Sequence, residues 1–100
     1  MKNIINHLHK AFENRIRLGI MSALVANDRV DYNSLKELLK VTDGNLASHL
    51  KFLEKENFIT VEKSFIDRKP NTSYSASKTG RQKFEEHIDA LKKIIEAQGK

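Results

Sequence analysis

The chain has 100 residues, the size of one domain, and its 18 lysines and arginines against 13 aspartates and glutamates give a formal net charge of +5. It contains no cysteine, which excludes disulfides, thiolate metal sites and cysteine nucleophiles. No apolar stretch approaches the roughly 18 residues of a membrane helix, and the N-terminus lacks the apolar region of a signal peptide, so we expect a cytoplasmic protein that does not engage a membrane. The positive surplus favours polyanionic partners, although many soluble proteins share it.

The first predicted element is a long helix from about Ile4 to Ala26, which a bend near Phe12–Asn14 could interrupt. Its second half is apolar on two sides. One stripe contains Ile16, Ile20, Ala23 and Leu24, and the opposite side contains Leu18, Met21 and Val25. A helix that is apolar all round is buried all round. It therefore either runs through the middle of the domain or presents one face to another subunit.

A short strand and a second helix are predicted next. Residues 29–32 can supply a brief strand beside a later hairpin. Asn33 or Ser34 is expected to cap a helix over 33–40, since Ser34 and Glu37 have the spacing of a capping box. The residues expected to turn inward are Leu35, Leu38 and Leu39.

The third predicted helix covers residues 43–56, follows a turn at 40–42 and is capped by Thr42. Its large aliphatic side chains recur at i, i+4 and i+7 and should face a core; they are Leu46, Leu50 and Leu53. The opposite face is small near the N-terminus and cationic towards the C-terminus, with Gly44, Ser48, Lys51 and Lys55. Such a face fits a DNA major groove, which is about 12 Å wide and admits one helix. An ordinary solvated face beside Glu54 and Glu56 is the alternative.

After residue 57 the pattern changes to period two, and residues 58–76 predict a β-hairpin. The proposed turn, Asp67–Asn71, contains the only proline of the chain. Two adjacent cations, Arg68 and Lys69, lie at the tip, where they contribute nothing to a core. We therefore expect them to reach a phosphate backbone or a minor groove, where guanidinium groups are favoured.

The last predicted helix covers residues 78–97 and has a seam with coiled-coil spacing. Phe84, Ile88, Leu91 and Ile95 recur at i, i+4, i+7 and i+11, and Ile94 widens the seam. Twenty helical residues span about 30 Å, more than so small a domain needs to cover itself. The seam predicts a homodimer, and an ordinary core helix packed within one chain is the alternative. The interface candidates are Leu18, Met21, Val25, Ile88, Leu91, Ile94 and Ile95.

The order of these elements predicts a mainly helical α+β fold, a single winged helix-turn-helix domain over residues 1–100 with a small antiparallel hairpin as wing and a C-terminal dimerisation helix. Four segments also resemble the short winged-helix transcriptional regulators related to the MarR and ArsR groups. They are Arg15–Leu24, Leu35–Leu38, Thr42–Glu54 and Tyr74–Arg81. The most specific parts are the Thr-Asp-Gly-Asn-Leu-x-x-His-Leu run and the Thr-Gly-Arg that follows the hairpin.

The resemblance implies a dimeric, cytoplasmic, operator-binding protein, usually a repressor, with residues 43–55 as recognition helix and 63–71 as wing. In such relatives, clefts at the dimer interface often hold small ligands, but no residue pattern in this chain names an effector. One departure is that Asn14 stands where these proteins often have proline, so we expect a less sharply defined helix start.

Double-stranded DNA is thus the predicted partner, and the candidate contacts lie on the third helix and the hairpin. They are Thr42, Asp43, Gly44, Asn45, Ala47, Ser48, Lys51, Lys55, Lys63, Arg68, Lys69 and Asn71. No arginine occurs between Thr42 and Glu56, although arginine on guanine is the commonest specific contact. We therefore expect modest direct readout, with A·T-rich sites favoured through Arg68 in the minor groove and Asn45 on adenine.

Other functions find less support in the sequence. His7 with His9, and Glu86, His87 and Asp89, could each offer two metal ligands, but neither group has zinc-site spacing. His49 lies beside the leucine stripe and is expected to be a partly buried packing residue. No glycine-rich phosphate loop and no nucleophile with its base is found, so neither an enzyme nor a cofactor is predicted.

A winged helix that binds protein instead of DNA remains the main competitor. It would need an exposed apolar patch on the third helix, and only Phe52 at the flank of that helix suits such a patch.

Overall fold

A computed structural model of the chain describes residues 2–99, with every side chain in that range except those of Lys2 and Asn3. The helices are α1 (Lys2–Ile5), α2 (Arg15–Ala26), α3 (Tyr32–Leu39), α4 (Asp43–Lys55) and α5 (Lys78–Gln98), with a 3-10 turn at Lys10–Phe12. The strands are β1 (Val30–Asp31), β2 (Ile59–Ile66) and β3 (Lys69–Ala76), which form one antiparallel sheet in the order β1-β3-β2. The predicted winged helix-turn-helix architecture is confirmed.

The predicted single helix over residues 4–26 is wrong, because the chain changes direction at two polar caps. Asn14 has an extended backbone, and its side-chain oxygen accepts hydrogen bonds from the backbone N–H groups of Ile16 and Arg17, both at 3.0 Å. The ring of His9 caps the 3-10 turn in the same way, by accepting from Ala11 N–H at 3.2 Å. A side chain that satisfies the first free N–H groups begins a helix cleanly. The start of α2 is therefore sharp, contrary to the expectation for a chain without proline there.

The start of α3 also differs from its prediction. Asp31 is the cap, and its carboxylate accepts a hydrogen bond from Ser34 N–H at 2.7 Å. The capping box expected at Ser34 does not form, since the helix already begins at Tyr32. Leu38 was expected to face inward, but it is 63% exposed because the core side of α3 is occupied by Leu35. For α4, the predicted cap is confirmed: Thr42 accepts from Asn45 N–H at 3.2 Å.

Helix α2 runs through the middle of the domain, and Ile20, Met21 and Leu24 have no exposed surface. The leucine stripe of α4 packs into the same core. Met21 was expected to lie in a dimer interface, and this interpretation is wrong, because a fully buried side chain has no surface to offer a second subunit. Leu18 is partly exposed, as expected for an interface candidate.

The wing turns more tightly than the sequence suggested. Ile66 pairs with Lys69, which leaves a two-residue loop, and the backbone φ angles of Asp67 and Arg68 are 53° and 68°. Positive φ at both loop residues matches the right-handed twist of the strands. The next pair away from such a loop is not hydrogen-bonded. Pro70 occupies that position opposite Phe65, so its missing N–H does not weaken the ladder.

The Thr-Gly-Arg segment after the wing fastens α5 to the rest of the domain. Ser77 caps the helix by accepting from Gly80 N–H at 2.9 Å, and its hydroxyl donates to the carbonyl of Asn57 at 2.6 Å. Gly80 packs directly on the backbone of Phe58. Arg81 donates to the carbonyl of Val25 at 3.1 Å, at the end of α2. This motif is therefore explained by packing alone.

Candidate nucleic-acid interface

A groove of about 360 Å³ separates α4 from the wing. It is lined by Tyr32, Ala47, Leu50, Lys51, Glu54, Val61, Lys63, Thr72 and Tyr74. The two lysines come from different elements, Lys51 from α4 and Lys63 from β2. The helix and the wing thus present cations to one shared opening.

The outer face of α4 is open to solvent and poor in bulky groups. The exposed residues of this face and its cap are Thr42, Asp43, Gly44, Asn45, Ala47, Ser48, Lys51 and Lys55, and Phe52 and Glu54 at the flanks are exposed as well. A Cβ added at Gly44 would meet no atom of the chain within 4 Å. The leucine stripe on the other side is almost completely buried, so the helix is held rigidly while this face remains free to approach a partner closely.

The remaining candidate contacts lie along the wing. Lys63, Arg68 and Lys69 are exposed, and Asn71 is partly buried. Lys63 lines the groove beside α4, whereas Arg68 and Lys69 lie at the far end of the hairpin. The structure therefore brings Lys51 and Lys63 together but separates the two tip cations from α4.

Asp43 has partners within its own chain. Its carboxylate lies 3.1 Å from the ammonium group of Lys36 and accepts a hydrogen bond from the hydroxyl of Tyr32 at 3.2 Å. The hydrogen bonds from Lys36 and Tyr32 lower the pKa of this carboxyl. A carboxylate would repel a phosphate, so we assign Asp43 to positioning the start of α4 instead of to a DNA contact.

Arg17 joins α2 to α4. Its Nε donates to the carbonyl of Ala11 at 2.7 Å, and its Nη1 lies 3.2 Å from Nδ1 of His49. The guanidinium also lies over the ring of Phe52, 4.2 Å from the centroid. Burial and, to a smaller extent, the charge of Arg17 lower the pKa of His49. Phe52 is thus engaged by its own chain, which weakens the case for a protein-binding patch on α4.

An apolar surface remains along the second half of α5. Ile95 is 68% exposed, and Ile88, Leu91 and Ile94 are partly exposed. A neighbouring groove of about 430 Å³ is lined by Val25, Phe84, Glu85, Ile88, Asp89 and Lys92. The domain measures 56 Å in its longest dimension and has a radius of gyration of 15.0 Å, whereas a compact chain of this length has about 13 Å. One side of this half of α5 is therefore exposed, whereas Ala90 on another side is buried and lies beside Ile4 and His7.

Two of the histidines singled out for metal binding, His9 and His87, have structural partners. His87 is buried, and its Nδ1 accepts a hydrogen bond from the backbone N–H of His9 at 2.9 Å. Both rings pack in an aromatic cluster with Phe12. Among the side chains that the structure describes, no three histidines or carboxylates come together. Within residues 2–99, no helix is long and apolar enough to cross a membrane.

Sequence reasoning missed several residues of this surface. Tyr32 and Thr72 line the groove, although neither was a candidate contact. Neither has a distinctive motif, and only the folding of β1, α3 and β3 around α4 places them there. Arg17 could have been suspected, because it is an arginine within an otherwise apolar helical segment.

The sequence matches the family model described as "Winged helix DNA-binding domain" over residues 16–95. An uncharacterised protein of Methanocaldococcus jannaschii is 37% identical over 79 residues, which are 79% of this chain and 86% of that protein. A transcriptional regulator homologue from Pyrococcus horikoshii superimposes with a TM-score of 0.85 at 28% identity, covering 97% of this chain and 94% of the other. NadR in complex with 4-hydroxyphenylacetate has the same fold, with a TM-score of 0.74 at 20% identity, covering 97% and 68%.

Proposed function

Because the chain belongs to the family of winged-helix DNA-binding domains, we propose that it regulates transcription as a homodimer, most simply as a repressor that occupies its operator. It is a DNA-binding protein and not an enzyme. The observation that carries the proposal is that Lys51 of α4 and Lys63 of the wing line one groove. The sugar-phosphate backbone of one DNA strand could lie between Lys51 and Lys63, with α4 in the major groove on one side and the wing at the minor groove on the other.

In the proposed complex, α4 enters the major groove with its N-terminal half first. Gly44, Ala47 and Ser48 let the backbone come close to base edges, and the amide of Asn45 pairs with adenine. Lys51 follows on the same exposed face. Since α4 has no arginine, most of the affinity comes from phosphates, and direct readout is modest.

The wing completes the contact on the adjacent strand and minor groove. Arg68 and Lys69 lie at its exposed end, where the narrow minor groove of A·T-rich DNA has its strongest negative potential. Lys63 on β2 and Lys55 at the end of α4 add contacts to the phosphate backbone. These two lysines set the position of the protein on the duplex, and their effect does not depend on the base sequence.

Dimerisation is proposed through the exposed apolar side of the second half of α5, together with Val25 and Leu18 of α2. Apolar groups such as Ile95 and Leu91 are stabilised when a second copy covers them, and the groove beside Val25 can receive a partner helix. For such a dimer to occupy successive major grooves, its two copies of α4 must lie about 34 Å apart. Ile95→Glu should give monomers in sedimentation velocity, whereas Leu38→Glu, on an equally exposed leucine of α3, should leave the dimer intact.

The decisive experiment is selection from random double-stranded DNA, with sequencing of the bound fraction, followed by affinity measurements across a salt series. If a dimer neutralises about six phosphates, log K should fall with log salt at a slope near −5. A slope close to zero would contradict DNA binding.

The same assay assigns the contacts. Exchanging Arg68 and Lys69 for alanine should weaken binding to all sequences and reduce the preference for A·T-rich sites, whereas Lys51→Ala should change the preference at the bases that α4 reads. Lys10→Ala removes one exposed charge from the 3-10 turn, which belongs to neither α4 nor the wing, and should bind as the unaltered protein does. If all of these variants bound DNA with the same affinity, the DNA contacts proposed for Arg68, Lys69 and Lys51 would be wrong.

A further inference from the structure

The end of the wing carries two large apolar side chains that do not contribute to the core. Phe65 is 74% exposed and Ile66 is 56% exposed, while Ile59 at the base of the same strand is buried. A hairpin tip needs neither residue for folding, since its turn is made by Asp67 and Arg68. Phe65 and its cross-strand neighbour Pro70, which is also exposed, form a contiguous apolar patch near the end of the wing, and such a patch indicates a contact surface.

The two side chains lie on opposite faces of the hairpin, because successive residues of a strand alternate. Phe65 is two residues from Lys63 and four from Val61, both of which line the groove beside α4. It therefore continues that face towards the tip, with Pro70 as its cross-strand partner. Ile66 lies on the other face.

The charges around Phe65 indicate what covers it. Lys63 lies on the same face of β2 two residues away, and Arg68 lies in the adjoining loop, whereas Lys69 pairs with Ile66 and belongs to the other face; all three are exposed. An apolar group flanked by cations complements DNA better than it complements an apolar protein surface. Proteins that bind the minor groove frequently insert Phe, Leu, Ile, Met or Pro between base steps, which shows that apolar side chains are accommodated there.

We propose that Phe65 and Pro70 form an apolar wedge that enters the minor groove and packs against its deoxyribose walls, a role that rests on the proposed DNA binding. The wedge supplies affinity that does not release counterions, whereas Arg68 beside it supplies affinity that does. Ile66, on the opposite face, does not enter.

The test compares Phe65→Ala with Ile66→Ala and Arg68→Ala on the DNA site selected above, over a series of salt concentrations. Phe65→Ala should weaken binding about tenfold at every salt concentration and leave the slope of log K against log salt unchanged. Ile66→Ala should bind within about twofold of the unaltered protein, which is the matched control for shortening an exposed side chain at the tip. Arg68→Ala should make the slope shallower by about one for each wing.

Other outcomes separate the possible failures. If the unaltered protein binds DNA with a steep salt slope but Phe65→Ala binds equally well, the wedge is wrong and the proposed function stands. If the unaltered protein shows no salt-dependent binding, the proposed function itself fails. If Phe65→Ala abolishes self-association without DNA and leaves DNA affinity intact, the tip is a contact between copies and the wedge is overturned.

Folding is controlled separately. Phe65 is exposed, so Phe65→Ala should change the melting temperature little. Phe65→Leu keeps an apolar side chain at the same position and should retain most of the affinity. Equal losses for Leu and Ala would contradict an apolar contact.

Discussion

Helices α4 and α5 begin in nearly the same way and serve different purposes. Each has a hydroxyl cap, Thr42 or Ser77, and each has a glycine in its first turn, Gly44 or Gly80. A Cβ at Gly80 would lie 2.0 Å from the carbonyl oxygen of Phe58, whereas one at Gly44 would meet nothing within 4 Å. The same local sequence therefore makes an anchor where its own chain packs against it, and an open surface where no part of the described chain does.

The largest expected effect is at the anchor. Gly80→Ala should destabilise the fold by about 3 kcal/mol, at the upper end of the cost of overpacking, because the added methyl group meets backbone that cannot rotate away. Urea unfolding followed by circular dichroism measures the change. An unaltered midpoint would show that α5 can shift on Phe58 and that the start of α5 is as open as that of α4.

The same substitution at the open surface should act in the opposite direction on stability. Gly44→Ala should stabilise the fold by about 0.5 to 1 kcal/mol, since glycine inside a helix costs that much relative to alanine. DNA affinity should nevertheless fall, because the methyl group occupies the space through which the helix backbone approaches the major groove. Unfolding and DNA titration on the same sample test both effects. Stabilised protein with unchanged affinity would show that DNA does not approach Gly44.

The smallest expected effect is a dependence of folding stability on pH, to which one histidine in each of the two helices contributes. Burial lowers the pKa of His87 in α5, with nearby Glu13 acting in the opposite direction and His9 adding to the lowering. The unfolded chain, with an ordinary histidine pKa near 6.5, therefore takes up a proton before the folded chain does. Stability should be complete above about pH 6.5 and fall as the pH drops through the lowered folded pKa.

His87→Asn is the matching variant, because an amide oxygen can accept the hydrogen bond from His9 without titrating. It should reduce the loss of stability below about pH 6.5, as measured by thermal melting at several pH values. His49 in α4, whose pKa is also lowered, should account for part of the pH dependence of stability that remains in His87→Asn. His49→Asn should remove that part. An unchanged profile in His87→Asn would mean that His87 is not buried in its neutral form.

Several elements could be predicted because their signals are local. The leucine spacing of α4, the cap at Thr42 and the alternating residues of β2 each involve side chains a few positions apart, and the corresponding elements form as expected. Local signals failed where more than one residue could cap a helix. Asp31 caps α3, although Ser34 was also a suitable cap, and the spacing of polar residues does not show which of the two is used.

Burial was harder to predict than secondary structure. Met21 was predicted to lie in an interface and is fully buried, whereas Leu38 was predicted to face the core and is 63% exposed. Periodicity identifies an apolar face but not how far other elements extend across it. The interface candidate on α2 and the core candidate on α3 could be sorted only after the helices were packed together.

The sequence by itself determined the order of helices and strands, the leucine face of α4 and the positive charges of the helix and wing, because these depend on residues close together along the chain. Only the tertiary structure decided that Lys51 and Lys63 share a groove, that Arg17 engages His49 and Phe52, and that Gly44 is open while Gly80 is enclosed. Those relations join residues from separate elements, and packing, which no local pattern specifies, sets the distances between them.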